Sequence, residues 1–261
     1  MDPPNEDDDE ALRHALYERA VQSPEHDVAL LERLFARRTG REALRLREDF
    51  CGTGLLAARW VESDDEREAE GVDLDARVLA HGRRRHRARL DPEEAARLVL
   101  RRRDVRARSD RTFDLIVAMN FSWALFDDDA LARYLAEAAA CLEEDGWLVL
   151  ELFGGPAMGE ALVREHAHEG FTYVWEQKGA RDGALEAAIH FTLADGRALR
   201  DAFRYRFHLR PVDALEAMVR AAGFGRFELL VEDRRGRYAR RRGRPRAPVW
   251  RGLVLAGAPR P

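Results

Sequence analysis

The sequence predicts an α/β fold, a doubly wound and mostly parallel sheet of seven strands with helices on both faces. Between residues 41 and 156, short β-like runs alternate with helix-like segments, which is typical of parallel strands joined by crossover helices. After residue 156, aromatic-rich runs with a period of two predict a small antiparallel insertion over residues 157–210. A helix and strands within residues 211–261 complete the predicted sheet.

The amino-terminal forty residues predict a tail and two helices. Residues 1–10 combine prolines with a run of acids, and they predict a disordered, solvated tail. Within residues 11–40, an apolar stripe at Leu12, Leu16 and Ala20 predicts a first helix. Ser23-Pro24 starts a second helix, which ends near Gly40. We expect both helices to cover the active site.

The remaining elements follow from local periodicity and turn residues. Strands are predicted at residues 44–50, 69–73, 98–104, 113–119 and 147–153, with a helix at 130–142 before the fifth. The insertion holds predicted strands at 171–176, 188–193 and 203–208. A helix at 211–222 and strands at 227–231 and 249–256 return the chain to the sheet.

Composition narrows the class of protein. With 261 residues and 46% hydrophobic residues, the chain can form one α/β domain of ordinary size. A net charge of -4 argues against a surface devoted to nucleic acid. The two cysteines cannot form a disulfide framework, and no apolar run is long enough to cross a membrane. We therefore expect a cytoplasmic protein without a membrane segment.

Small and polar residues follow four consecutive predicted strands. The first strand runs into E-D-F-C-G-T-G at 48–54, where Gly52 and Gly54 permit a tight turn and close approach of backbone to a ligand. Asp73, Asp104 and Asn120 follow the next three strands. Each acid could instead cap the following helix. Together, however, they meet at the edge where open α/β sheets bind ligands.

This order of residues resembles the class I, Rossmann-like S-adenosylmethionine-dependent methyltransferases over residues ~45–155. The resemblance implies S-adenosyl-L-methionine as the cofactor. It implies methionine-side contacts at Glu48, Cys51, Gly52 and Gly54, and it implies that Asp73 binds the ribose. It implies adenine contacts at Leu74, Asp104 and Val105, with Asn120 beside the sulfonium.

Two departures from that family pattern concern the first strand and its turn. Phe50 stands where the family usually has glycine, and Arg45 and Arg47 interrupt a strand that is usually apolar. A nicotinamide dehydrogenase is the nearest alternative, since residues 52–57 also fit G-x-G-x-x-A. Glu48 weighs against it, because a carboxylate would repel a pyrophosphate and attract the ammonium of methionine.

The predicted activity is transfer of a methyl group to a nitrogen or oxygen nucleophile of a small molecule. Arginine clustering at residues 234–246 keeps a nucleic-acid acceptor open as an alternative. A base is optional for this chemistry, and the candidates are His190, Glu151 and Tyr173. His166 and His168 lack a third ligand at useful spacing, so no metal is predicted. A third hypothesis is that the chain binds the cofactor but does not transfer its methyl group.

Overall fold

A computed structural model describes residues 6–241, 243 and 245–258. Its helices are α1 (Glu6–Val21), α2 (Pro24–Thr39), α3 (Leu55–Glu62), α4 (Ala76–Arg85), α5 (Pro92–Arg97), α6 (Asp128–Ala140) and α7 (Val212–Ala221). Its strands are β1 (Arg45–Asp49), β2 (Glu68–Asp73), β3 (Leu98–Arg102), β4 (Phe113–Ala118), β5 (Leu142–Gly154), β6 (Ala161–His168), β7 (Phe171–Arg181), β8 (Ala184–Leu193), β9 (Ala198–His208), β10 (Arg226–Glu232), β11 (Tyr238–Arg240) and β12 (Trp250–Gly257).

The larger sheet is mostly parallel, as the sequence predicts. Its strand order is β11-β10-β12-β5-β4-β1-β2-β3. Strands β1 to β5 are parallel to their neighbours, whereas β12 is antiparallel to both β5 and β10. Chain order reverses at β1, which pairs with β2 on one side and β4 on the other. A crevice is expected at such a switch point, outside the carboxyl ends of the strands.

Helices cover both faces of this sheet. Along β5 the buried side chains alternate, so that Trp147 packs with α2 and α3 on one face and Leu148 packs with α6 and α7 on the other. Helix α2 begins with Pro24 at its first turn and ends at Gly40, whose φ is 78°. Leu31 and Phe35 anchor α2 in the core, so α2 packs on the sheet, and the cover of the active site by both helices stays a prediction.

The insertion forms a second sheet in the order β6-β7-β8-β9, all antiparallel. The inner face carries Phe171, Ile189 and Phe191, which pack against Leu16 of α1. Its far end joins the main core through Leu185 and other apolar side chains. No described helix is long and apolar enough to cross a membrane.

Three predictions of local structure differ from the structure. The tail predicted for residues 1–10 is helical from Glu6 onward, since acidic residues favour the positive end of a helix dipole, and residues 1–5 lie outside the described part. Strand β6 was not predicted, because none of its side chains is fully buried and no alternation marks it. Strand β11 adds an eighth strand at the sheet edge. The division of the chain at residues 10, 40, 156 and 210 stays a prediction.

Candidate active site

A cavity of about 500 Å³ lies outside the carboxyl ends of β1 to β4. The glycine-rich turn after β1, the ends of the next three strands and one face of α1 line it. The predicted cofactor residues that line this cavity are Glu48, Cys51, Gly52, Asp73, Leu74, Asp104, Val105 and Asn120. Gly54 does not line it and instead precedes the first residue of α3.

The turn after β1 depends on residues that tolerate unusual backbone angles and close contacts. Gly52 has a φ of 55° and Gly54 a φ of 71°, both in the left-handed region that favours glycine. Helix α4 packs directly against this turn at Gly82, where a Cβ atom would lie 2.0 Å from the carbonyl oxygen of Thr53. Sequence reasoning missed Gly82, because a glycine inside a helix has no single interpretation.

Phe50 adopts the same left-handed conformation without being glycine, with a φ of 56°. Its ring packs 5.3 Å from the ring of Phe126 and 5.8 Å from that of Tyr134, measured between centroids. A non-glycine residue here costs about 1–3 kcal/mol of backbone strain. The aromatic contacts offset that cost, which explains how the turn forms without the usual glycine.

Glu48 is a buried carboxyl group with no ion pair among the described residues. Its side chain is held by the amide of Ala57, which donates to Oε2 at 2.9 Å, and the residue is 4% exposed. Burial, together with the charges of Asp73 and Asp27, raises the pKa of Glu48 to about 8, although the Ala57 bond works against this rise. The position therefore lacks a positive charge, which the ammonium of methionine would supply.

The neighbouring carboxyl group, Asp49, is paired within the protein. Arg47 is fully buried in β1 and its Nε donates to Asp49 Oδ1 at 2.7 Å, while the hydroxyl of Tyr134 donates to Oδ2 at 3.0 Å. Burial raises the pKa of Asp49 to about 6, against the lowering effects of Arg47 and Tyr134. Arg47, which interrupts the apolar strand, thus holds the carboxylate of Asp49. Its guanidinium also donates to the carbonyl oxygen of Val105 at 2.8 Å.

Asp73 does not cap the helix that follows it. Its carboxylate accepts from the amides of Gly52 and Asp75, both at 2.9 Å, whereas the N-cap role in α4 belongs to Asp75. Asp73 therefore joins the end of β2 to the glycine-rich turn. Beside it, Leu74 is 62% exposed, which is unusual for a large apolar side chain and suits a surface that a flat ring would cover.

Asp104 is tied to a neighbouring arginine. The guanidinium of Arg106 donates to both of its oxygens, at 2.9 and 2.6 Å, and this pair lowers the pKa of Asp104. Asp104 remains ionised and lines the cavity with Val105, whose side chain is buried. The two residues lie where the resemblance implies contacts with adenine.

The candidate base Glu151 is occupied by other residues. Its carboxylate accepts from Arg251 Nε at 2.6 Å and from the amide of Asn120 at 2.6 Å, and the residue is 1% exposed. Glu151 therefore holds the backbone of Asn120, which has a φ of 54°, and its role as a base stays a prediction.

A second cavity of about 350 Å³ adjoins the first. Tyr17, Asn120 and Tyr205 line both cavities, so the two spaces meet at these three side chains. The other aromatic side chains that line the second cavity are Phe121, Phe153, Tyr173, Trp175, Phe207 and Trp250. Burial raises the pKa of Tyr173 to about 12 and also raises that of Tyr17 and Tyr205, so these phenols are neutral at physiological pH.

His190 lines neither of these two cavities, and its role as a base stays a prediction. Its Nδ1 accepts from the amide of Asp201 at 2.8 Å, and its Nε2 lies 3.0 Å from a carboxylate oxygen of Glu176. Asp201 belongs to an irregularity in β9 and has a φ of 51°. His190 therefore stabilises a β-bulge, where a ladder amide would otherwise lack a partner.

Helix α1 contributes residues that sequence reasoning did not assign to the site. His14, Tyr17 and Glu18 line the first cavity. His14 and Glu18 lie on the face of the helix opposite its apolar stripe, whereas Tyr17 lies at the edge of that face and also packs with the apolar cluster. Their spacing was visible in the sequence. A polar helix face, however, normally indicates solvent.

Comparison with known proteins agrees with this geometry. Residues 50–146 match the family model of a methyltransferase domain. An S-adenosylmethionine-dependent methyltransferase from Clostridium acetobutylicum is 17% identical, with a TM-score of 0.70, and the match covers 92% of this chain and 96% of that one. A comparison with curated proteins gave no match.

Two further solved structures share the fold over nearly the whole chain. CalS10, an amino pentose methyltransferase from Micromonospora echinaspora, is 20% identical, with a TM-score of 0.70 and coverage of 94% of this chain and 96% of that one. KedS8, a sugar N-methyltransferase from Streptoalloteichus, is 24% identical, with a TM-score of 0.65 and coverage of 94% and 92%. These matches lend no support to a nicotinamide dehydrogenase. Residues 50–146 therefore match a methyltransferase domain, and the chain as a whole has the fold of the class I, Rossmann-like S-adenosylmethionine-dependent methyltransferases.

Proposed function

We propose that this methyltransferase transfers the methyl group to a nitrogen or oxygen nucleophile of a small molecule held in the second cavity. The observation that carries this proposal is that the cofactor cavity and the aromatic cavity meet at Tyr17, Asn120 and Tyr205. An acceptor in the second cavity would face the reacting end of the cofactor across these side chains.

The residues of the first cavity fit S-adenosylmethionine. Asp73 offers a carboxylate to the ribose hydroxyls and Leu74 an apolar surface to adenine. Glu48 offers a buried carboxyl group whose ionised form the ammonium would stabilise. When bound, the cofactor supplies an electrophilic methyl group on a sulfonium. The protein's contribution is to hold the acceptor in line with that methyl group and to exclude water.

The aromatic lining of the second cavity favours an acceptor that reacts without a dedicated base. Glu151 is paired with Arg251, and the buried tyrosines are neutral. Burial in an apolar space lowers the pKa of an amine, because it disfavours the charged form. An amine would therefore present its lone pair to the methyl group, and the phenols of Tyr17 and Tyr205 would orient it by hydrogen bonding.

An amine on a sugar-like molecule is the first acceptor class to test. The named activities of CalS10 and KedS8, an amino pentose methyltransferase and a sugar N-methyltransferase, support this choice. No contact observed among the described residues favours nucleic acid, since Arg237 of the arginine-rich segment pairs with Asp233 and Arg240 lies 4.0 Å from Glu228.

The experiment is a transfer assay with amino sugars, other small amines and RNA as acceptors. Trp175→Ala should reduce transfer at least tenfold and leave S-adenosylhomocysteine affinity within twofold, because Trp175 lines only the second cavity. His190→Ala is the matched control from the same sheet, and its transfer rate should stay near that of the parent. Methylation of RNA but of no small molecule would refute the proposal.

A further inference from the structure

Helix α1 has two functional faces. Leu12, Leu16 and Ala20 pack on the small sheet, while the opposite face meets the cofactor cavity. Glu18 fixes that face in place: its carboxylate accepts from the hydroxyl of Thr53 at 2.7 Å and contacts the side chain of His86 at 2.7 Å. Burial opposes its ionisation, but these bonds outweigh that effect and lower the pKa of Glu18 to about 2. A charged anchor thus ties α1 to the glycine-rich turn.

One turn before Glu18, His14 lies in the cavity wall, and one of its ring nitrogens has no hydrogen-bond partner. The residue is 9% exposed, and its Nε2 is buried with no hydrogen-bond partner. Burial and the charge of Arg13 lower the pKa of His14 to about 4, so the ring is neutral and can donate or accept. The ring centroid of His14 lies 6.0 Å from that of His81 in α4, the helix that follows β2 and Asp73. His14 therefore lies at the side of the cavity next to the end of β2.

One turn beyond the anchor, Gln22 presents a second unsatisfied atom. Its Oε1 is buried without a partner, and the residue lines the same cavity. Gln22 therefore shares this cavity with the buried carboxyl group of Glu48. A buried amide oxygen without a donor costs free energy that a bound ligand can recover.

We propose that α1 forms the second wall of the cofactor site, with His14 hydrogen-bonded to the ribose and Gln22 Oε1 accepting a hydrogen bond from the methionine ammonium. This inference rests on the proposed placement of the cofactor in the first cavity. It assigns one side chain of the same helix to each end of the cofactor. The two assignments can be tested separately, because His14 would contact the nucleoside and Gln22 the amino-acid part.

The test uses two probes, S-adenosylhomocysteine and 5′-methylthioadenosine, which lacks the amino-acid part. His14→Phe should weaken binding of both probes about 3- to 10-fold, since a neutral hydrogen bond is lost. Gln22→Met should weaken S-adenosylhomocysteine at least 10-fold and leave methylthioadenosine unchanged, since the lost bond goes to a charged group. Calorimetry on the full chain gives both affinities.

His81→Phe is the matched control. Its Nε2 is also buried without a partner and its ring centroid lies 6.0 Å from that of His14, but it does not line the cavity. Phenylalanine at position 14 keeps the ring contact with Phe203, so its melting temperature should equal or exceed that of the parent. Parent-like affinity in His14→Phe or Gln22→Met, or equal losses in His81→Phe, would overturn the inference. Failure of the parent to bind either probe would instead refute the cofactor site.

Discussion

Replacing Glu48 by glutamine should stabilise the cofactor-free protein at pH 8 and change its stability little at pH 5. Glutamine keeps an oxygen that can accept from the amide of Ala57, so the hydrogen bond of Glu48 survives while the ionisable group is removed. In the folded protein the pKa of Glu48 is raised to about 8 from an ordinary 4.5, mainly by burial. Between these values the folded state holds a proton that the unfolded chain releases. Stability is therefore lost as pH rises through this window.

The size of the effect follows from the same two values. Each factor of ten in the ionisation constant corresponds to about 1.4 kcal/mol, so the full difference sets an upper limit of about 5 kcal/mol. Relaxation of the cavity and entry of water reduce it, and we expect about 2–4 kcal/mol at pH 8. Urea unfolding of parent and Glu48→Gln at pH 5, 6.5 and 8 measures the difference between the two proteins at each pH.

If Glu48→Gln raised the free energy of unfolding by the same amount at all three pH values, or lowered it at pH 8, this account of Glu48 would be refuted. The cofactor provides an independent check, because an ammonium beside Glu48 should lower its pKa. Binding of S-adenosylhomocysteine at pH 7 should therefore release protons from the parent and fewer from Glu48→Gln. Calorimetry in buffers of different ionisation enthalpy measures that number.

Three further changes test other parts of the site. Asp73→Ala should weaken S-adenosylhomocysteine binding by about 2–4 kcal/mol in calorimetry, because charge-assisted hydrogen bonds are lost; unaltered affinity would show that Asp73 only braces the turn. Gly82→Ala should cost about 2–4 kcal/mol in urea unfolding, since the added Cβ would meet the Thr53 carbonyl at 2.0 Å; a stability equal to the parent's would mean that α4 can move away. His190→Ala should lose about 1–2 kcal/mol of stability through the unpartnered Asp201 amide, and a selective loss of transfer would support His190 as a base.

The sequence was sufficient for the main sheet apart from its edge strand β11, because the other strands and the helices carry local signals of period and capping. The predicted strand at residues 113–119 matches Phe113–Ala118, which is buried along its whole length. Strand β6 escaped prediction because its side chains are largely exposed and give no alternating pattern. Whether a strand of that kind forms is decided by its partner β7, which lies elsewhere in the chain.

The site divides in the same way. The resemblance names residues at or just after the carboxyl ends of β1 to β4, and the structure brings all of them but Gly54 to one cavity. Their binding of the cofactor stays a proposal. What the sequence could not supply was which face of α1 turns inward, since that depends on contacts such as Glu18 with Thr53. The burial of Arg47 likewise depends on the carbonyl of Val105, which lies 58 residues away along the chain.

We expect helix α1 to make binding of the two proposed substrates thermodynamically dependent. Through Leu16 it packs on the sheet that lines the second cavity, and through Glu18 it is hydrogen-bonded to the turn that lines the first. A ligand that orders α1 from one side reduces the conformational entropy that the helix loses when the other ligand binds. Each ligand should therefore raise the affinity of the other by the same factor. Variants selected for a new acceptor should then acquire altered cofactor affinity without any change in the cofactor cavity itself.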